Sequence, residues 1–269
     1  MNRKDLTNSL VRLCVRHRVD ILILAESRIE PNELLDALHS GGLQTFEYAR
    51  NLLPEEQAED RRIEIFTRFS SEFLPAAREG ESFSIRRAVL PDRKEFLLAA
   101  LHLPSKRHWT TDSQAALAIE IASEIRYVES AAGHQQTVLV GDFNMNPFKQ
   151  GMLAANGFHA MMTRRIAENR ERIVQRKKYS FWYNPMWSHF GDADDTPAGT
   201  YYYRQAAHVS HEWNMFDQVL LRPDLLPYFR NEDLQILTTD GVTSFLNPNG
   251  TPNKRVASDH LPLLFKLRF

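Results

Sequence analysis

Three things are scarce or missing in this sequence, and each absence removes a class of explanation. It holds one cysteine, Cys14, so no internal disulfide can form. A secreted disulfide scaffold is excluded, and a reducing, cytoplasmic setting is expected. Cys14 itself reads as a small buried apolar residue on a helix. No apolar run is long enough to span a bilayer, and the polar, charged start does not read as a signal peptide, so no membrane partner is expected. There is no surplus of charge: 33 basic against 34 acidic residues give a net charge of -1. The global positive field of many nucleic-acid binders is therefore absent, although local patches remain open. No internal repeat, low-complexity tract or convincing linker interrupts residues 1–269, so one domain is expected.

What is present suits a soluble core: 269 residues, 43% hydrophobic and 25% charged. The chain is organised around residues 137–148. Thr137 to Val140 read as a strand covered on both faces. Gly141 lets the backbone turn, and Asp142 and Asn144, two apart, lean to the same side of an extended segment. Pro147 suits the first turn of a following helix. A carboxylate and an amide held together at a strand end are placed to hold a water and a phosphate oxygen. The plainer alternative is an Asx turn at a strand end, which Asp and Asn also favour.

The remaining chain supplies flanking elements. Leu6, Leu10, Leu13 and Cys14 recur at helical spacing, and residues 19–25 read as a short central strand ended by Glu26. Residues 31–39 read as a helix closed by Gly41-Gly42. Residues 51–60 are polar and acidic, a surface loop. Segments 63–69, 83–90 and 95–103 read as an antiparallel meander, with His102 near the end of the third. Thr111 or Asp112 can cap a long helix running to about residue 130. Residues 164–178 carry Arg164, Arg165, Arg170, Arg172, Arg176, Lys177 and Lys178, followed at once by aromatics. Residues 200–203, 215–221 and 263–267 read as further strands.

Five strand-end positions stand out: Glu26, His102, the Asp142/Asn144 pair, Asp217 and the Asp259/His260 pair. Each alone has a bland reading as a cap, a surface charge or a hydrogen-bonded histidine. In this order, Leu24-Ala25-Glu26, Leu101-His102-Leu103, Gly141-Asp142-Phe143-Asn144, Phe216-Asp217-Gln218-Val219 and Ser258-Asp259-His260-Leu261-Pro262 resemble the endonuclease/exonuclease/phosphatase superfamily, in its deoxyribonuclease I-like branch. The Gly-Asp-Phe-Asn and Ser-Asp-His motifs are the specific ones.

The resemblance implies an α/β fold: a four-layer α/β/β/α sandwich of two mostly antiparallel sheets, with the site where strands of both end. It implies a divalent cation, Mg²⁺ or Mn²⁺, held by Glu26 and Asp259, with Asn2 beside it. Mg²⁺ takes few protein carboxylates and keeps waters, so such a sparse site is adequate. It also implies that Asp142 orients or deprotonates the attacking water, that Asn144 fixes water or a phosphate oxygen, and that Asp217 holds His260 against the phosphate or the nucleophile. His102 would contact the scissile phosphate; the acid behind it is open, with Asp60 and Glu64 as candidates.

One departure from the family pattern stands out. Family members begin with a strand ending in Trp-Asn-x-Asn or Trp-Asn-x-Asp, whereas this sequence starts at Met1-Asn2-Arg3, where the second Asn would fall. Either translation starts upstream, or an inner strand is lacking. Loss of that strand would expose two ladder edges.

The function expected first is an Mg²⁺-dependent endonuclease, with nucleic acid as partner and DNA favoured over RNA. Arg172, Arg176 and Lys177 would neutralise phosphates and the aromatics after them would stack on bases, although a solvated face followed by core aromatics explains that stretch as well. The alternatives are a phosphatase or phosphodiesterase acting on a small or lipid phosphoester, and a non-catalytic interaction module.

Overall fold

The computed structural model describes residues 3–50, 62–92, 94–107, 109–191, 196–206, 208 and 210–269. Asn2, Asp60 and the expected 51–60 loop lie outside these residues. Helix α1 (Arg3–His17) leads into β1 (Ile21–Ala25), then α2 (Pro31–Ser40), β2 (Glu47–Tyr48) and β3 (Ile63–Thr67). Strands β4 (Ala76–Gly80), β5 (Phe83–Val89) and β6 (Glu95–His102) precede the long α3 (Thr111–Ala132) and β7 (Thr137–Asp142). Next come α4 (Gln150–Leu153), β8 (Ala160–Met161), α5 (Arg164–Ala167), the hairpin β9 (Glu171–Val174) and β10 (Lys177–Ser180), and β11 (Trp182–Tyr183). The chain closes with β12 (Tyr201–Tyr202), β13 (Trp213–Asn214), β14 (Asp217–Leu221), β15 (Gln235–Ile236) and β16 (Leu263–Leu264).

Seven strands form the main sheet in the order β4-β5-β6-β7-β14-β11-β8. It is mixed: β6 runs parallel to β7, while β14 returns antiparallel to β7. On one face Ile121, Ala122 and Ile125 of α3 pack against Leu97, Leu139 and Leu220. The other face, with Leu98, Val138, Val140 and Val219, packs against residues of β3, β15 and the chain end. Outside β1 and β3 lie α1 and α2, whose Cys14, Leu34 and Leu38 close on Phe66. Three apolar clusters thus separate four layers, as the resemblance implies. Among the described residues, no helix is long and apolar enough to cross a membrane.

Local chemistry explains most boundaries and several departures. Helix α3 is capped by Thr110, one residue earlier than expected, whose Oγ1 accepts from Ser113 N at 3.1 Å. Gly133, at φ 75°, ends it in the left-handed conformation. After Pro147, α4 starts only at Gln150. The expected meander is split: β3 pairs with β1 and β2, while β5 pairs with β4 and β6. Strand β4 was not expected, because Ala-Ala-Arg-Glu-Gly has neither β-branched residues nor clean alternation. The basic stretch forms one short helix and the β9–β10 hairpin rather than a helix face.

At the far end of the main sheet, Arg222 and Glu129 form a bidentate pair at 2.8 and 2.9 Å, both side chains 2% exposed. Thr137 Oγ1 donates to the same carboxylate at 2.8 Å, and the guanidinium lies 4.1 Å over the Trp182 ring. This network ties α3 to the strands.

Candidate active site

The expected catalytic residues meet because four strands stop at one end of the sandwich. His102 closes β6 and Asp142 closes β7, directly paired in the parallel register. Asp217 opens β14 opposite Asp142 on the antiparallel side. Glu26 follows β1, from the other sheet, and its Oε1 lies 3.6 Å from His102 Nε2. His260 precedes β16 and bridges to Tyr201. Gly141 makes the junction feasible: at φ 144°, a Cβ there would sit 1.9 Å from the Leu101 carbonyl oxygen. Glu26 (φ 52°) and Asn144 (φ 47°) both occupy the left-handed region, an uncommon conformation for non-glycine residues.

Asp142 is buried and doubly held by Asn144, whose backbone N donates to Oδ1 at 2.7 Å and whose Nδ2 donates to Oδ2 at 2.8 Å. The Asx turn is therefore real and part of the site. Asn144 Nδ2 also donates to the Leu103 carbonyl at 2.8 Å, fixing the pair on β6. Burial first, and then the charge of Asp217, push the Asp142 carboxyl up to about 7.

His260 has the opposite environment. Its Nδ1 lies 2.8 Å from Asp217 Oδ2. Burial opposes its charging, but the Asp217 charge and hydrogen bond, aided by Asp142 and Asp259, raise it to about 10. It is an imidazolium at neutral pH. The Tyr201 ring stands 4.7 Å from it and stacks on Phe216 at 5.3 Å, walling one side.

His102 is lowered by burial, only partly offset by the Glu26 charge. Asp142 Oδ2, like Glu26, lies 3.6 Å from its Nε2. These carboxylates favour the tautomer with the proton on Nε2, leaving the buried Nδ1 without a hydrogen-bond partner. The acids facing His102 are thus Glu26 and Asp142. Glu64 sits opposite Leu24 in the β1–β3 register.

Asp142, Asp217 and His260 offer ligand atoms within 4.8 Å of one another. A protonated His260 donates its hydrogen bond to Asp217, so it is a poor metal ligand. Glu26, whose side chain is 73% exposed, and exposed Asp259 line the same cavity as Asp142 and Asp217. That acid-rich cavity, with the Asp142 carboxyl pushed up by burial and then by the Asp217 charge, fits a divalent cation.

The structure does not bring Arg172, Arg176 and Lys177 to this cluster of residues. They lie on the β9–β10 hairpin, and Gln135 Nε2 donates to Ser180 Oγ beside the start of β7. Asp142 ends that six-residue strand, roughly 17 Å away. Arg172 Nε donates to His159 Nε2 at 2.8 Å, and none of the three lines the cavity. The cations that do line it near the site include Arg62, Lys106, Arg107 and Lys149. Sequence reasoning missed these, and also Asn146, which continues the Asp142/Asn144 alternation by one step. Asn146 Nδ2 donates to Asn214 Oδ1 at 2.9 Å and its Oδ1 accepts from Met215 N at 2.8 Å, fixing the approach to β14.

Comparison with protein-family models finds no match, and comparison with curated proteins finds none. Solved structures do match. The human Nocturnin catalytic domain with bound sulfate anion is 12% identical, covering 99% of this chain and 87% of that one at a TM-score of 0.57. D. rerio TDP2 complexed with single strand DNA product is 12% identical, covering 100% and 94% at 0.56. An endonuclease/exonuclease/phosphatase family protein from Bacteroides thetaiotaomicron is 14% identical, covering 98% and 89% at 0.52. The likeness is one of fold, and it extends over nearly the whole chain.

Proposed function

We propose that this chain, which has the endonuclease/exonuclease/phosphatase (DNase I-like) fold, is a divalent-metal-dependent phosphodiesterase acting on nucleic acid. The observation that carries the reading is geometric: Asp142 and Asp217 face each other on adjacent strands, His260 Nδ1 lies 2.8 Å from Asp217 Oδ2, and Asn144 holds Asp142 at 2.7 and 2.8 Å. A general base is most effective with a pKa near the working pH, and Asp142 meets that condition. The His260 imidazolium is a fixed positive donor for a phosphoryl oxygen, held in place by Asp217. His102 can donate from Nε2 to the scissile phosphate. Asn144, occupied by Asp142 and Leu103, acts mainly by orienting the base. Glu26 and Asp259 would hold Mg²⁺ or Mn²⁺, which supplies charge neutralisation and polarisation at phosphorus when bound.

Nucleic acid is favoured because cations flank the site and the exposed aromatics Trp109 and Tyr203 line the same cavity. Phosphate contacts and base stacking together suit a strand, with DNA preferred to RNA. A phosphatase acting on a small phosphoester is the second reading, favoured by the position of Arg172, Arg176 and Lys177 outside the cavity. The test is incubation with supercoiled plasmid, single-stranded DNA, RNA and inositol phosphates, with and without Mg²⁺ or Mn²⁺. Metal-dependent cleavage of a polynucleotide supports the first reading; release of phosphate from inositol phosphates alone selects the second.

A further inference from the structure

Asn144 holds the Asp142 carboxyl through two hydrogen bonds, and it does so from the left-handed region at φ 47°. A non-glycine residue keeps such a conformation where its surroundings over-determine it. Three buried amides supply that restraint along residues 144–146. Gln114 Nε2, from the first turn of α3, donates to the Asn144 carbonyl at 3.2 Å. Gln218 Nε2, from β14, donates to the Met145 carbonyl at 2.6 Å. Asn146 Oδ1 accepts from Met215 N at 2.8 Å. The segment behind Asp142 is thus gripped from α3 on one side and from β14 and its approach on the other.

Gln114 and Gln218 are both buried, but they differ in how they are satisfied. Gln218 uses both ends of its amide, because its Oε1 accepts from Asn184 Nδ2 at 2.7 Å. Gln114 uses only its nitrogen. Nε2 donates to Asn144 and, at 2.8 Å, to the Pro104 carbonyl, while the buried Oε1 has no hydrogen-bond partner among the described residues. The opposite orientation of the amide would aim an acceptor at two carbonyls, so the chemistry fixes the assignment. A buried acceptor without a partner costs free energy and asks for an explanation. Filling space does not supply one, since an apolar side chain of similar length would fill it without that cost. The two donated bonds do. One holds the left-handed Asn144 peptide; the other holds the loop that brings Lys106, Arg107 and Trp109 to the cavity.

We propose that Gln114 is a positioning residue for the reaction: its Nε2 clamps the Asn144 peptide, so that Asn144 presents Asp142 to the attacking water in one orientation. The proposal rests on the phosphodiesterase reading given above. Gln114 does not line the cavity and acts only through Asn144. Its own origin is fixed, because its backbone N donates to Thr110 O at 3.0 Å in the capped first turn of α3. An effect on turnover is therefore expected, with little effect on substrate affinity.

The test follows Mg²⁺-dependent cleavage of a labelled single-stranded DNA by the wild-type chain and by Gln114→Met, Gln114→Glu and Thr110→Ala. Thr110→Ala removes the cap of the same helix and should lower the Tm while leaving kcat unchanged. Gln114→Met should lower kcat about 10–10²-fold, the scale of a reacting group displaced by about an ångström, with KM within about threefold of wild type. The carboxyl introduced by Gln114→Glu can donate to a carbonyl only when protonated, and burial favours that form. Its kcat relative to wild type should therefore rise as pH falls, while that of Gln114→Met stays level. If Gln114→Met does not fold, the pH ratio of Gln114→Glu decides. Amide exchange adds a readout independent of activity. The Asn144 N–H, held by Asp142, should exchange at least about tenfold faster in Gln114→Met, with Leu139 of β7 unchanged. A kcat loss no greater than in Thr110→Ala, a level pH ratio for Gln114→Glu, or unchanged Asn144 exchange would overturn the proposal. A wild-type chain that cleaves no polynucleotide would instead sink the functional reading, and Asn144 exchange would then decide the clamp alone.

Discussion

Asp217 stands directly opposite Asp142 on adjacent antiparallel strands, and its Oδ2 takes the Nδ1 proton of His260 at 2.8 Å. One acid thereby raises a second acid by its charge and holds a histidine as a cation. Asp217→Asn should release both effects. We expect turnover to fall on the order of 10²–10⁴-fold, the range for acid–base contributions, with an unchanged circular dichroism spectrum. Turnover within a few-fold of wild type would remove Asp217 from the machinery.

Basic residues near and far from the site should separate in a salt series. On an Asp142→Asn background that blocks cleavage, neutralising Lys106, Arg107 or Lys149 should reduce the log–log salt slope of single-stranded DNA binding by about one unit for each phosphate no longer neutralised. Removing the charges of Arg172, Arg176 and Lys177 together should leave the slope unchanged. The reverse outcome would return the substrate path to the hairpin.

The buried Arg222–Glu129 pair should be expensive to break and cheap to replace. Arg222→Met alone leaves Glu129 charged and buried, and urea denaturation should show a loss of about 3–5 kcal/mol. Arg222→Met with Glu129→Leu should cost less than the sum of the single changes. Additive losses would mean that the two side chains do not act as a pair.

Acid should act through Asp240. Burial alone would raise this carboxyl, but Arg12, which donates to Oδ2 at 3.0 Å through Nε, and the Thr243 backbone N–H at 2.7 Å hold it well below the usual range. A depressed folded pKa contributes stability that is present above the unfolded value of about 3.9 and is lost as pH falls from there through the folded value. Urea midpoints measured from pH 6 to pH 2 should therefore drop, and Asp240→Asn should flatten part of that drop. An identical pH profile in the variant would contradict the assignment.

Much of the site was legible because short motifs name strand ends, and strand ends are where this fold collects side chains. Glu26, His102, Asp142, Asn144, Asp217 and His260 come together as the order of motifs implied. The hairpin cations do not line the cavity, because closeness in sequence to Asp142 says nothing about which end of the sheet the chain next visits. Lys106, Arg107 and Lys149 escaped notice because two or three cations in ordinary loops have no periodicity. Strand β4 was invisible for want of β-branched residues, and β3 was given the wrong neighbours because β4, not β3, pairs beside β5.

Metal-assisted phosphodiester hydrolysis at this cavity is tested most directly by one rate. It is the Mg²⁺-dependent cleavage of a labelled single-stranded DNA by the wild-type chain and by His260→Ala, prepared identically. Cleavage should be abolished by EDTA and should fall at least about 10²-fold in the variant. Cleavage at equal rates in the two proteins, or undiminished by EDTA, would contradict hydrolysis by this site.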